Sequence, residues 1–224
     1  MAKLVYVYGK SGSGKSRSLK NFGAEEIFYI NTIGKDLPFR NKFKYSYVPL
    51  SVSAGQMTVS EKVMRALQKM PDTIKTVVID DAGYIMSDMF MNGHSLPRKG
   101  ATSFDLYNDI ADSFYRILQY ICFVMPNDVI VYILMHEERT DFGETKFLTI
   151  GKLLDQKVCL EGMATVVLRC VCEGNEHFFR TQTDGLDLAK SPEDMFSDNK
   201  IENDLKAVDT IIREFYGINT KEAK

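Results

Sequence analysis

The sequence predicts an α/β fold: a mostly parallel central sheet flanked by helices, with an antiparallel β-hairpin towards the C-terminus. Three observations carry that prediction. Short continuous apolar runs at Leu4–Tyr8, Thr76–Ile79 and Val129–Met135 have the unbroken character of strands buried on both faces. Between them lie stretches whose apolar residues recur at helical spacing, so strands and helices alternate along the chain. A glycine-rich segment joins the first run to the first helical stretch, as in the strand-to-helix turns at the carboxyl edge of parallel sheets.

Leu4–Tyr8 is the first strand, and Gly9-Lys10-Ser11-Gly12-Ser13-Gly14-Lys15-Ser16 follows it as a complete G-x-x-x-x-G-K-[ST] motif. Its glycines let successive N–H groups point inward at a phosphate. Lys15 can then reach the terminal phosphates and Ser16 can ligate Mg²⁺. The first helix is expected from Ser16 to about Phe22, and Glu26–Asn31 is the second strand. Phe43, Tyr45 and Tyr47 alternate with Lys44 and Ser46, the pattern of a strand with one wet face, although aromatics among cations also suit stacking on single-stranded bases.

Thr58 or Ser60 caps a helix that carries Val63, Met64, Leu67 and Met70 and stops at Pro71. The next strand, Thr76–Asp80, ends in two acids. A strand-terminal Asp supplies the Mg²⁺ carboxylate beside a phosphate loop, which makes Asp80 the metal candidate with Ser16. Residues 87–103 lack periodicity and read as a long loop. Ser103 opens an amphipathic helix with Leu106, Ile110, Phe114, Ile117, Leu118 and Ile121. The strand after it delivers His136 and Glu137 to the same edge as the phosphate loop, where a polar side chain can sense the γ-phosphate. A second variable loop is expected at 145–152 and a short helix at 153–162. Thr165–Val171 and His177–Gln182 form the hairpin, residues 184–204 read as acidic loop, and Ile201, Leu205, Val208, Ile212 and Phe215 mark a last helix.

The chain of 224 residues fits one α/β domain over 1–185, followed by an acidic linker and C-terminal helix over 186–224. Its 28 Lys and Arg against 30 Asp and Glu leave a net charge of −2, so no global basic field marks it for nucleic acid. The four cysteines stand in apolar stretches without paired C-x-x-C spacing and read as buried reduced thiols. No signal-peptide pattern or membrane-length apolar run is present, which predicts a soluble cytoplasmic protein without a membrane partner.

The order of phosphate loop, helix, strand, helix, Asp-ended strand, long loop, helix, His-ended strand, second loop and terminal hairpin resembles the RecA-type ATPase core. It is most similar to the short phage-encoded RecA-like proteins, some of which anneal single strands during recombination or replication. The likeness covers roughly residues 1–185 in topology, and its motifs are Gly9–Ser16, Val77–Asp81 and His136-Glu137. It implies ATP and Mg²⁺ as cofactors: Gly9, Lys10, Ser11, Gly12, Ser13, Gly14, Lys15, Ser16 and Arg17 at the nucleotide, Asp80 at the metal and His136 as sensor. It implies single-stranded DNA as partner, a homo-oligomeric ring or filament, and the host cytoplasm as location. Arg98, Lys99, Arg139 and Lys146, in loops at about 87–103 and 137–150, would be the phosphate contacts. RecA-type hydrolases carry a Glu just after the second strand, and Asn31-Thr32-Ile33-Gly34 stands there instead. Asp81 is the first substitute for the base and Glu137 the second. A small-molecule kinase and a nucleotide-switched protein adaptor remain as alternatives.

Overall fold

Strands rich in β-branched and aromatic residues assemble into one sheet in the computed structural model, which describes residues 1–40, 42–50, 57–94 and 103–218. The strands are β1 (Lys3–Gly9), β2 (Ile27–Asn31), β3 (Tyr45–Tyr47), β4 (Thr76–Asp80), β5 (Ile130–Arg139), β6 (Thr145–Phe147), β7 (Val166–Glu173), β8 (Glu176–Arg180) and β9 (Lys200–Glu202). They lie in the order β3-β2-β4-β5-β1-β7-β8-β9, with β6 paired to the end of β5. Pairing is parallel from β3 to β7, and the β7-β8, β8-β9 and β5-β6 pairs are antiparallel. Gly9 stands opposite His136, and Asn31 opposite Asp80. The carboxyl ends of β1, β2, β4 and β5 therefore meet at one edge.

Alternation along each strand divides the core in two. Leu4, Tyr6 and Tyr8 of β1, with Val131, Ile133 and Met135 of β5, face a layer that includes α1 (Val59–Gln68), α2 (Gly83–Gly93) and α3 (Ser103–Phe123). Val5, Val7, Tyr132 and Leu134 face the other layer, where Leu19, Phe22 and α5 (Leu205–Phe215) pack. A short α4 (Lys152–Lys157) follows β6. Thr58 and Glu61 form a reciprocal capping box on α1, and Asp204 caps α5 by accepting from the Lys206 and Ala207 amides. No described helix is long and apolar enough to cross a membrane.

Several expectations change. The helix after the phosphate loop is only a 3-10 turn, Ser16–Leu19, in which the Ser18 hydroxyl takes the Lys15 carbonyl at 2.6 Å. Its dipole is correspondingly short, so an anion at this end would depend on the loop amides. The first part of the 87–103 loop is helical as far as Gly93: Ile85 and Met86 are buried, and Asn92 donates to Asp88 at i,i+4. Residues 145–152 hold β6 and the start of α4, not a continuous loop. Ile201 belongs to β9, because the Asp204 cap starts α5 after it. Residues beyond 185 are not set apart from the rest. Lys190 bridges Val167, β9 extends the sheet, and α5 shares a core with β1 and β5. Among the cysteines Cys170 is buried and Cys122 half-buried, whereas Cys159 and Cys172 are exposed.

Candidate functional site

The phosphate loop leaves the end of β1 and curls over β7. Gly9 has no room for a side chain, since a Cβ there would stand 2.3 Å from the Cys170 carbonyl oxygen. Gly14 combines φ +108 with a brace behind it: a Cβ would meet His177 Nδ1 at 2.8 Å and Asn203 Oδ1 at 3.1 Å. His177 Nδ1 donates to the Ser13 carbonyl at 2.8 Å, and the Cys170 thiol donates to the same oxygen at 3.2 Å. Asn203 Nδ2 in turn donates to Cys170 Sγ at 3.2 Å, and Arg17 reaches Asn203 Oδ1 at 3.4 Å. Burial pushes the Cys170 thiol up to about 11 despite these partners, so it stays a neutral prop. No motif announces this brace. It is assembled from β7, β8 and the turn before α5.

Lys15 is buried and folded back, donating to the Gly9 and Lys10 carbonyls at 2.8 and 2.9 Å. Burial lowers its ammonium below the ordinary lysine value, against the upward pull of Asp81 and Asp80. His136 Nδ1 approaches Lys15 Nζ at 3.5 Å, while its Nε2 stands 3.3 Å from Asp81 Oδ1. The imidazole thus spans the gap between the loop lysine and the second acid.

The two aspartates differ. Asp80 is 1% exposed, accepts from the Tyr29 hydroxyl at 2.8 Å through Oδ2, and has no partner for Oδ1. Burial first and the Asp81 charge second raise its carboxyl above the usual range, against the Ser16 and Tyr29 hydroxyls. Asp81 has φ 56, a left-handed conformation that Asp tolerates better than most side chains. Burial works to raise its carboxyl, but the hydrogen bonds and charges of His136 and Lys35 outweigh burial and hold it at about 2. A carboxylate so weakly basic orients a water better than it deprotonates one.

An open pocket of about 360 Å³ lies over this cluster, with Gly12, Lys15, Ser16, Lys35, His136 and His177 in its wall. A larger cavity of about 610 Å³, between Tyr107 and Lys152, has no phosphate-loop residue in its lining. The donor set fits Mg²⁺: the orphaned buried oxygen of Asp80 and the neighbouring Ser16 hydroxyl are hard ligands, and two protein oxygens leave places for phosphate and water. Among the described residues no cluster of three or more His, Cys, Asp or Glu could hold another metal.

A family model described as an AAA domain matches residues 1–193. The chain belongs to the AAA domain family. Membership carries nucleotide binding on a phosphate loop and ATPase chemistry, and comparison with curated proteins finds no match.

In this AAA domain the remaining predicted residues scatter. Glu137 follows His136 on β5 and points to the opposite face of the sheet, where Arg169 holds it at 3.1 and 3.3 Å. The Glu137 side chain is 3% exposed and does not share the loop's face, so it is not placed to act on a water at the γ-phosphate. The 137–150 segment is a β5-β6 hairpin. Arg139 donates to the Gly143 carbonyl at 3.3 Å, and Lys146 pairs with Glu138 at 2.8 Å. Arg98 and Lys99 lie outside the described residues. Sequence reasoning missed Lys35, which pairs with Asp81 from the turn that follows β2. Its only signal was position, four residues beyond the strand that ends in Asn31.

Proposed function

We propose that this AAA domain is an ATP-hydrolysing, RecA-like protein that acts on single-stranded DNA as a homo-oligomer, with the β5-β6 hairpin changing its grip as the nucleotide changes. One observation carries the reading. His136 reaches Lys15 and Asp81 at the phosphate loop, and three residues later the same strand bears Arg139 and turns into the hairpin that holds Lys146. Lys15 and the loop amides bind and neutralise the phosphates, Ser16 and Asp80 would hold a Mg²⁺ that would add charge neutralisation there, and Asp81 orients the attacking water. A γ-phosphate offers His136 an acceptor on the Lys15 side of the ring while the other nitrogen keeps Asp81. The pull is transmitted along β5 to contacts that now tie Arg139 and Lys146 inward.

A protein-binding adaptor is the second reading, favoured by the hairpin's own chemistry. Residues 137–147 hold four acids against two bases, and Phe142 at the tip is 89% exposed. ATP turnover with and without single-stranded DNA, at two salt concentrations, separates the readings, with Lys15→Ala as the dead-site control. Stimulation by DNA, salt-weakened binding and silence of Lys15→Ala are expected. Intact turnover that ignores DNA points to the adaptor, and phosphate transfer to a metabolite points to a kinase.

A further inference from the structure

We propose that Lys35 is a second cation for the γ-phosphate, acting within its own subunit: it rests on Asp81 in the free domain and is drawn off it by a nucleoside triphosphate. The inference rests on the nucleotide-binding reading of the site. It begins with Asn31, at the place where a catalytic glutamate is absent. Asn31 is 8% exposed and stands opposite Asp80 in the sheet. Its Nδ2 donates to the Lys35 carbonyl at 2.7 Å, and its Oδ1 accepts from the Gly34 amide at 3.0 Å. Gly34 takes φ +72 to close the turn. The asparagine thus spends both ends of its side chain on fixing the backbone of Lys35 one strand away from the acidic pair.

From that turn the Lys35 ammonium reaches Asp81 Oδ2 and enters the pocket wall shared with Lys15, Ser16 and His136. Burial opposes its charge, yet the hydrogen bond and charge of Asp81 outweigh burial and keep Lys35 above the ordinary lysine value. The two pocket lysines are held differently. Lys15 is 5% exposed and tied to two loop carbonyls. The Lys35 side chain is 43% exposed, on a four-carbon stem with a single carboxylate partner. As a staple, a half-exposed pair of this kind contributes little. As a movable charge it suits a pocket that must accept a strongly anionic ligand. Asp81 keeps His136 when Lys35 leaves, so the exchange strands no buried charge. Arg17, the other cation in the wall, is turned towards Asn203 and β9.

On this proposal Lys35 meets only the third phosphate, so it discriminates a triphosphate from a diphosphate. The test is calorimetric binding of ADP and of a non-hydrolysable triphosphate analogue, each with Mg²⁺, to wild type, Lys35→Gln, Lys35→Arg and Lys15→Ala. Lys35→Gln should weaken the triphosphate analogue roughly ten- to a hundredfold and ADP by less than about threefold, while Lys35→Arg keeps most of the preference. Equal weakening of both ligands, or none, overturns the proposal. Asp81→Asn checks it without touching Lys35: releasing the lysine should tighten the triphosphate analogue, and unchanged or weaker binding counts against it. If wild type binds neither nucleotide, the nucleotide-site reading itself fails. If wild type binds both, Lys15→Ala binds neither and Lys35→Gln keeps the preference, only the role of Lys35 falls.

Discussion

The two ends of β4 carry the same ingredients to opposite effect. Thr76 at its start and Asp80 at its end point to the same face of the sheet, and each lies beside a buried tyrosine–aspartate hydrogen bond. At the start, Asp209 of α5 accepts from Tyr132 at 3.0 Å, Thr76 at 3.2 Å and Arg213 at 2.7 Å. Arg213 spends its other donors on the Asp128 and Lys75 carbonyls and the Thr76 hydroxyl. At the end, Asp80 accepts from Tyr29, but its second oxygen is buried without a partner. The closed network pins α5 to the sheet. The incomplete one has been desolvated and left open, and that shortfall is what a cation would fill.

Breaking the closed end should give the largest effect. Arg213→Ala leaves Asp209 charged and stranded, and chemical denaturation should show a loss of about 3–5 kcal/mol, with unchanged nucleotide affinity in the molecules that remain folded. At the open end, Asp81→Asn should cut ATP turnover by roughly a hundredfold without weakening nucleotide binding. Glu137→Gln should change turnover by less than about threefold, because that carboxylate lies across the sheet on Arg169. Comparable losses in the two variants would show that the faces are coupled.

The smallest effect tests the comparison most closely. Asp80→Asn should stabilise the metal-free protein by about 1–2 kcal/mol at neutral pH while abolishing its response to Mg²⁺. The sign follows from the raised Asp80 carboxyl: on the way up in pH the unfolded chain loses this proton first, so stability falls until the folded carboxyl also ionises. Wild type and variant should therefore converge as the pH drops through the ordinary aspartate range. A variant less stable than wild type at neutral pH would mean that Asp80 is as well satisfied as Asp209.

What could be read from the sequence was what neighbours in sequence decide. The Gly9–Ser16 spacing, the apolar runs of β4 and β5, the Thr58 cap and the hairpin of β7 and β8 all depend on residues a few positions apart. Long-range partners escaped notice. Lys35 meets Asp81 only because β2 and β4 are adjacent, and Cys170, His177 and Asn203 gather behind the loop only after β7, β8 and β9 align. Asp88, Asn92 and Gly93 suggested a loop by composition, yet Ile85 and Met86 hold them in α2 through burial against α3. Arg139 and Lys146 looked available for phosphate contacts, but the hairpin folds Arg139 onto the Gly143 carbonyl and sets Lys146 opposite Glu138, pairings fixed by strand register and not by residue type.

The brace behind Gly14 also bears on how the protein comes into being. In chain order Asn203 and the α5 network follow the phosphate loop by more than 180 residues. Both strands that flank β1, β5 and β7, are made more than a hundred residues after it. Nucleotide therefore cannot serve as an early nucleus for this chain. The loop takes its shape only once those later segments are in place, and the burden of guiding early folding falls on the α1-β4-α2-α3 stretch, whose contacts are more local.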